Sequence, residues 1–239
     1  MKQAKMVTRF LVKRRAKILL AGLFFVGCVA GNLYAWTCGV DTVRDAEGNL
    51  YSTVQIGRQC WLRENIRQGQ MLPDMEAWPA DNQVIEQWCY NNDVRFCREE
   101  GGLYTWQEAM GYEEKEKAQG VCPDGWHIPT DKEFYQMEAF LDPSVRNPTS
   151  SYASGNSHGR DIGKKLKMSG PARFSAVLTG MRNHEGHLIR RGTVTYFWTS
   201  TQKTGGKVAV HYLVKGLDGV KWTKVNPSNG LSVRCLKDP

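Results

Sequence analysis

The sequence predicts an α+β fold held by disulfides, with two or three short helices and small twisted antiparallel sheets. Three observations carry that prediction. Helical signals lie between Leu103 and Met168, and a series of short β-runs separated by Gly, Asn or Asp fills the chain after Phe174. Two distant cysteines, Cys122 and Cys235, bracket the helix start, the β-runs and a tryptophan-rich centre, as the ends of a long staple would.

Residues 41–59 read as a hairpin: a run over 42–45, a turn at Glu47-Gly48-Asn49, then Tyr51, Thr53, Val54 and Ile56 with β-branched content. Residues 57–61 turn the chain again. Residues 71–87 are polar and contain Pro73 and Pro79, which predicts a surface excursion. Leu103, Trp106 and Met110 then recur at helical spacing, with Gln107 and Glu108 on another side. The charge run over 112–119 reads as solvated.

The helix signal is strongest at Thr130. Thr130 and Glu133 have capping-box spacing, Asp131 puts a negative charge in the first turn, and Pro129 stands just before. Phe134, Met137, Phe140 and Leu141 are expected to face the core, and Asp142-Pro143 ends the run. Residues 150–159, rich in Ser, Gly and Asn, predict a mobile loop that contains His158. Residues 161–168 predict a short basic helix that packs Ile162 and Leu166. The β-runs cover 174–178, 188–189, 193–199, 208–214, 220–225 and 231–236, and Leu217-Asp218-Gly219 is the best hairpin turn among them.

Residues 1–17 carry seven Lys or Arg and no acid, and an uncharged run over 18–35 follows, as in a secretory signal peptide. Cleavage after Ala35 leaves Trp36 at the mature N-terminus and residues 36–239 as a single domain. A lipoprotein signal ending before Cys28 is the alternative, because Gly27-Cys28 closes an apolar run; a membrane contact would then be a lipid anchor on Cys28. Seven of the 32 basic residues precede Ala35, so 25 remain against 24 acids. That balance excludes the one-sided positive surplus that nucleic acid binding needs.

Six cysteines follow Ala35, an even count that reads as three disulfides in an oxidising compartment, with fifteen pairings open in principle. Cys89 and Cys97 pair across a short polar loop, Cys122 and Cys235 form the long staple, and Cys38 and Cys60 remain for each other.

Eight segments, in order, resemble the Fibrobacter succinogenes major paralogous domain: GNLYSTVQIGRQCWLRENI (48–66), CYNNDVRFC (89–97), GLYTWQEAM (102–110), CPDGWHIPTDKEF (122–134), IGKKLK (162–167), FSAVLTGMR (174–182), FWTST (197–201) and SVRC (232–235). The resemblance implies a C-type-lectin-like fold, close to that of the formylglycine-generating enzymes. Terminal strands would join in one small sheet that carries a loop-rich surface. It also implies an exported protein of the bacterial cell surface, outer membrane or periplasm.

Copper-dependent oxidation would require two free cysteines in the segment leading toward the closing strand, where residues 196–216 contain none. A calcium-lectin site would require clustered oxygen ligands, yet no acid precedes Asn226-Pro227-Ser228. His184 and His187 fall in a turn around Gly186, and His127 reads as a packed strand residue. Trp61, Trp106, Trp126 and Trp198 sit among apolar neighbours and are expected in the core, whereas Trp78 and Trp222 are expected at the surface.

The expected function is therefore a non-catalytic binding module for an envelope or extracellular glycan, surface polymer or protein, without metal or cofactor. Arg182, Tyr196, Trp222, Asn226 and Asn229 are expected to line its ligand face at one end of the sheet. An accessory subunit of a surface appendage is the alternative, and an oxidase of the formylglycine-generating type is a more distant one. Mass spectrometry of the exported protein should find either an unmodified Trp36 N-terminus or a lipidated Cys28, and three disulfides in each case.

Overall fold

A computed structural model describes residues 35–145 and 155–239. The leader read over the N-terminal segment, with Cys28, lies outside the described residues, as do positions 150–154 of the expected mobile loop. Among the described residues no helix is long and apolar enough to cross a membrane.

Strands β1 (Thr42–Arg44) and β2 (Leu50–Ile56) form the expected hairpin. Asp45 fixes its turn, since Oδ1 accepts from the backbone N–H groups of Glu47 and Asn49. The chain turns at Gly57, whose φ of 61° is in the left-handed region, and returns as β3 (Gln59–Leu62). The last strand, β13 (Leu236–Lys237), enters between β3 and β6 (Trp126–His127), which gives the order β1-β2-β3-β13-β6. The first and last described strands thus meet in one sheet.

The second sheet, β10-β11-β12-β7, consists of Val194–Lys203, Lys207–Val214, Val220–Val225 and Ser157–His158, all paired antiparallel. Its period of two builds two cores. Val208, Val210, Tyr212 and Val214 pack on one face with Tyr104, Trp106 and Trp198. Leu213 and Val220 pack on the other with Phe134, Met137, Ile162 and Phe174. Two short pairs complete the strands: β4 (Gln70–Met71) with β5 (Glu86–Gln87), and β8 (Met181–Arg182) with β9 (Leu188–Ile189).

The helices are α1 (Val94–Glu100), α2 (Trp106–Ala109), α3 (Asp131–Leu141) and α4 (Ile162–Leu166). Among the described residues four α-helices thus stand where two or three are expected. The addition is α1, which Asp93 caps inside the Cys89 to Cys97 segment read as a polar loop. The capping box at α3 forms as its spacing implies: the Thr130 side chain accepts from the Glu133 N–H, and Glu133 Oε2 accepts from the Thr130 N–H.

Other expectations change for physical reasons. Over 174–178 only Ala176 makes a bridge, and over 231–236 Leu231 and Ser232 bridge singly, because these segments thread between sheets. Phe140 is 63% exposed rather than in the core. It lies four residues from Gln136 and seven from Glu133, on the side of α3 turned away from Asp131 and Glu138.

Two buried groups bind the closing segment. Arg234 donates from Nε and Nη2 to Asn65 Oδ1, and from Nη1 to the carbonyls of Leu62 and Phe174. Cys235 bonds to Cys122, with Cα atoms 5.9 Å apart. Cys38–Cys60 and Cys89–Cys97 also pair as expected, with Cα separations of 5.9 and 5.1 Å. Replacing both Cys122 and Cys235 by Ser should cost about 4–5 kcal/mol in denaturant unfolding, against about 2–3 for the Cys89/Cys97 double variant, because a longer loop is released.

Candidate functional site

Helix α3 places Asp131, Tyr135 and Glu138 on one face, at spacings of four and seven residues, and presents that face to the second sheet. His211 projects from β11 between the two acids. Its Nδ1 lies 2.7 Å from Glu138 Oε1 and its Nε2 lies 3.0 Å from Asp131 Oδ1. His158, from β7, places Nε2 2.7 Å from Glu138 Oε2. Trp222 Nε1 and Lys203 Nζ donate to the two oxygens of Asp131, at 2.8 and 2.7 Å. Phe134 stacks on the His211 ring at 4.7 Å, and Tyr135 meets it edge-on at 4.9 Å.

All four acid and imidazole side chains are buried, so each is costly unless compensated. Burial alone would lower the His211 pKa; the Glu138 charge and the bonds to Asp131 and Glu138 overcome it and hold the imidazole up to about 9. Burial would raise Asp131, but His211 and Lys203 pull it down to about 2. Glu138, also opposed by burial, is lowered by the His211 charge and by bonds from both imidazoles. The cluster is a carboxylate–imidazole chain with compensated charge.

A second chain lies on the other flank of α3. His127 Nδ1 is 2.6 Å from Asp238, its Nε2 is 3.2 Å from Glu133, and Lys117 Nζ is 2.6 Å from the other Glu133 oxygen. Burial lowers the His127 pKa, but the two carboxylates more than reverse this; Glu133, despite burial, is drawn down to about 2 by His127 and Lys117. Glu133 and Asp238 also line an open groove of about 860 Å³ between β3, α3 and the C-terminal strand. Its rim carries Gln55, Arg58, Gln59 and Gln136, with the rings of Trp36 and Phe140 39% and 63% exposed.

The five expected ligand residues divide among separate environments. Arg182 is 1% exposed, clamped between Trp78 and Trp88 with its carbon Cζ 4.1 and 4.0 Å from their ring centres. Its Nε and Nη2 donate to the Met75 carbonyl, and burial lowers its pKa. Asn229 is buried beside it, because Arg182 pairs with Gly230; a Cβ on Gly230 would stand 3.0 Å from both the Arg182 Cβ and the Trp88 ring. Asn226 turns the adjoining loop by accepting from the Ser228 N–H.

Tyr196 is buried and stacks on Tyr212 at 4.9 Å, whereas Trp222 pairs with His211 on the opposite face of the same sheet. Tyr196 and Trp222 therefore share no ligand face. Trp222 is half-buried rather than at the surface, because its indole N–H serves Asp131. Trp78 is 45% exposed, and Trp61, Trp106, Trp126 and Trp198 are in the core, as expected. His184 and His187 lie exposed in the β8–β9 turn.

His158 is the clearest departure, a buried strand residue where a mobile loop is expected. His211 and Glu138 carry no motif. A signal did exist: in KVAVHYLV both alternating faces are apolar, which identifies an interior strand, so a histidine there needs a buried partner.

A family model described as Fibrobacter succinogenes major domain matches residues 54–237. No curated protein and no solved structure matches the chain.

The cluster sets a pH dependence of stability. His211, raised from 6.5 to about 9, contributes fully below pH 6.5 and loses its contribution as pH rises through 9. Asp131 and Glu133, lowered from 3.8 and 4.5 to about 2, contribute above those ordinary values and lose their contribution as pH falls through 2. Thermal unfolding should therefore show greatest stability near pH 5–6 and a loss of roughly 3 kcal/mol by pH 9 that His211→Gln removes.

Proposed function

The chain belongs to the Fibrobacter succinogenes major domain family, and from that premise we propose that it is an exported bacterial envelope or cell-surface binding module, with no catalytic centre of its own, that holds an extended glycan in the groove between β3 and α3. The observation that carries this reading is the composition of the groove. Gln55, Gln59 and Gln136 offer amide donors and acceptors to sugar hydroxyls, while Trp36 and Phe140 expose rings to the apolar faces of sugar units. Arg58 and Lys117 add donors without giving the groove a single sign of charge, because Glu133 and Asp238 stand opposite.

Three disulfides are consistent with an extracellular or periplasmic location, and the family fits a bacterial source. We further assign the fold to the C-type-lectin-like class. Supporting this are the closing strand β13 seated beside β3, the long Cys122–Cys235 staple, and the high share of loop between the small sheets.

Affinity electrophoresis of the purified protein through gels containing neutral or weakly charged polysaccharides tests the proposal. At least one polymer should retard the protein, and Trp36→Ala with Phe140→Ala should weaken that retardation by about tenfold or more, as for aromatic contact residues. Absence of retardation by any polymer, or retardation unaffected by the two substitutions, sinks the groove as a glycan site. Stable co-purification of a single protein partner would support the appendage-subunit alternative instead.

A further inference from the structure

We infer that Glu138, His158 and His211 form a transition-metal site of the zinc type, with Asp131 positioning His211 from behind. This inference concerns the core between α3 and the second sheet and does not depend on the groove.

The three donors come from three elements, α3, β7 and β11, and converge although they are far apart in sequence. One ligand atom from each lies within 4.8 Å of the others. Two imidazoles and one carboxylate are a borderline set, suited to Zn²⁺ and its neighbours rather than to Ca²⁺ or Mg²⁺, which take oxygen ligands. Metal–nitrogen bonds of about 2.0–2.1 Å would require the 2.7 Å contacts of both imidazoles with Glu138 to open and admit the ion between them.

The surroundings have the features that a metal needs. Asp131 Oδ1 sits 3.0 Å from His211 Nε2, so it can hold the proton there and leave Nδ1 as a lone-pair donor aimed at Glu138. Asp131 is itself fixed by Trp222 and Lys203. A small cavity of about 10 Å³ borders Glu138 and His211. Its other walls are mostly apolar, including Phe134, Phe174 and Phe197, which keeps the local dielectric low.

Two buried carboxylates offset one divalent ion held by neutral imidazoles, and the Lys203 charge is left at the partly exposed margin. The same geometry could be closed by hydrogen bonds around a protonated His211, and the experiment separates the two arrangements. Access requires little displacement, because β7 is a two-residue edge strand held to β12 by two register pairs.

The purified full-length protein would be treated with EDTA, dialysed, and titrated with Zn²⁺ or Co²⁺ alone. The site predicts one ion per chain by elemental analysis, a visible ligand-field absorption with Co²⁺, and a raised thermal midpoint that EDTA reverses. His158→Ala should abolish the absorption while circular dichroism reports an intact fold. Should that variant not fold, Asp131→Asn keeps all three donors and should weaken Zn²⁺ binding by about 10–100-fold. Replacing both His184 and His187 by Ala, in the exposed turn, should change nothing. The inference is overturned if the wild-type protein shows neither absorption nor thermal shift, if folded His158→Ala or Asp131→Asn binds as the wild type does, or if the turn variant loses binding.

Discussion

The structure depends on the seating of its last strand. β13 has only two residues, too few to hold a sheet by backbone bonds alone, yet it joins the N-terminal hairpin to β6. Its position is secured from outside the ladder. Cys235 ties the strand's approach to Cys122, and the buried Arg234 spends its donors on Asn65, Leu62 and Phe174. Burial lowers the Arg234 pKa to about 9 despite the Glu64 charge nearby, so the guanidinium is retained for geometry: only a planar fork reaches three chain segments at once.

Helix α3 divides the consequences of that closure between its two sides. Asp131, Tyr135 and Glu138 face the second sheet and the buried imidazoles, while Glu133, Gln136 and Phe140 face the groove. A rigid capping box at Thr130 fixes the rotation of the helix, so the cluster and the groove wall are set by one local device. The buried chain of acids and imidazoles has little tolerance for displacement, since an unpaired charge there costs several kcal/mol. It therefore holds α3 and the groove wall in register with β11.

Much of this fold was legible in the sequence because the signals were local. Thr130 with Glu133, the hairpin around Glu47-Gly48-Asn49 and the runs at β10, β11 and β12 each depend on residues close in the chain. An apolar residue in an amphipathic helix suggests the core, but the spacing of Phe140 from Gln136 and Glu133 places it on the other side. The Ser- and Gly-rich flanks of His158 suggest a loop and say nothing of its partner, Glu138, twenty residues earlier. The bridge between Arg182 and Gly230 does bring Arg182 next to the segment that carries Asn229, but both are buried, and Arg182 packs against Trp78.

Composition, cysteine count and local patterning determined the stapled α+β plan, the helix start at Thr130 and the burial of Trp61, Trp106, Trp126 and Trp198, since these follow from short-range sterics and from the pairing of an even number of cysteines. The opposite facing of Tyr196 and Trp222 and the meeting of Asp131, Glu138, His158 and His211 were decided only by the tertiary structure. Each depends on which strand lies beside which and on the rotation of α3 against them. Those are pairings between distant segments, and no local run of residues encodes them.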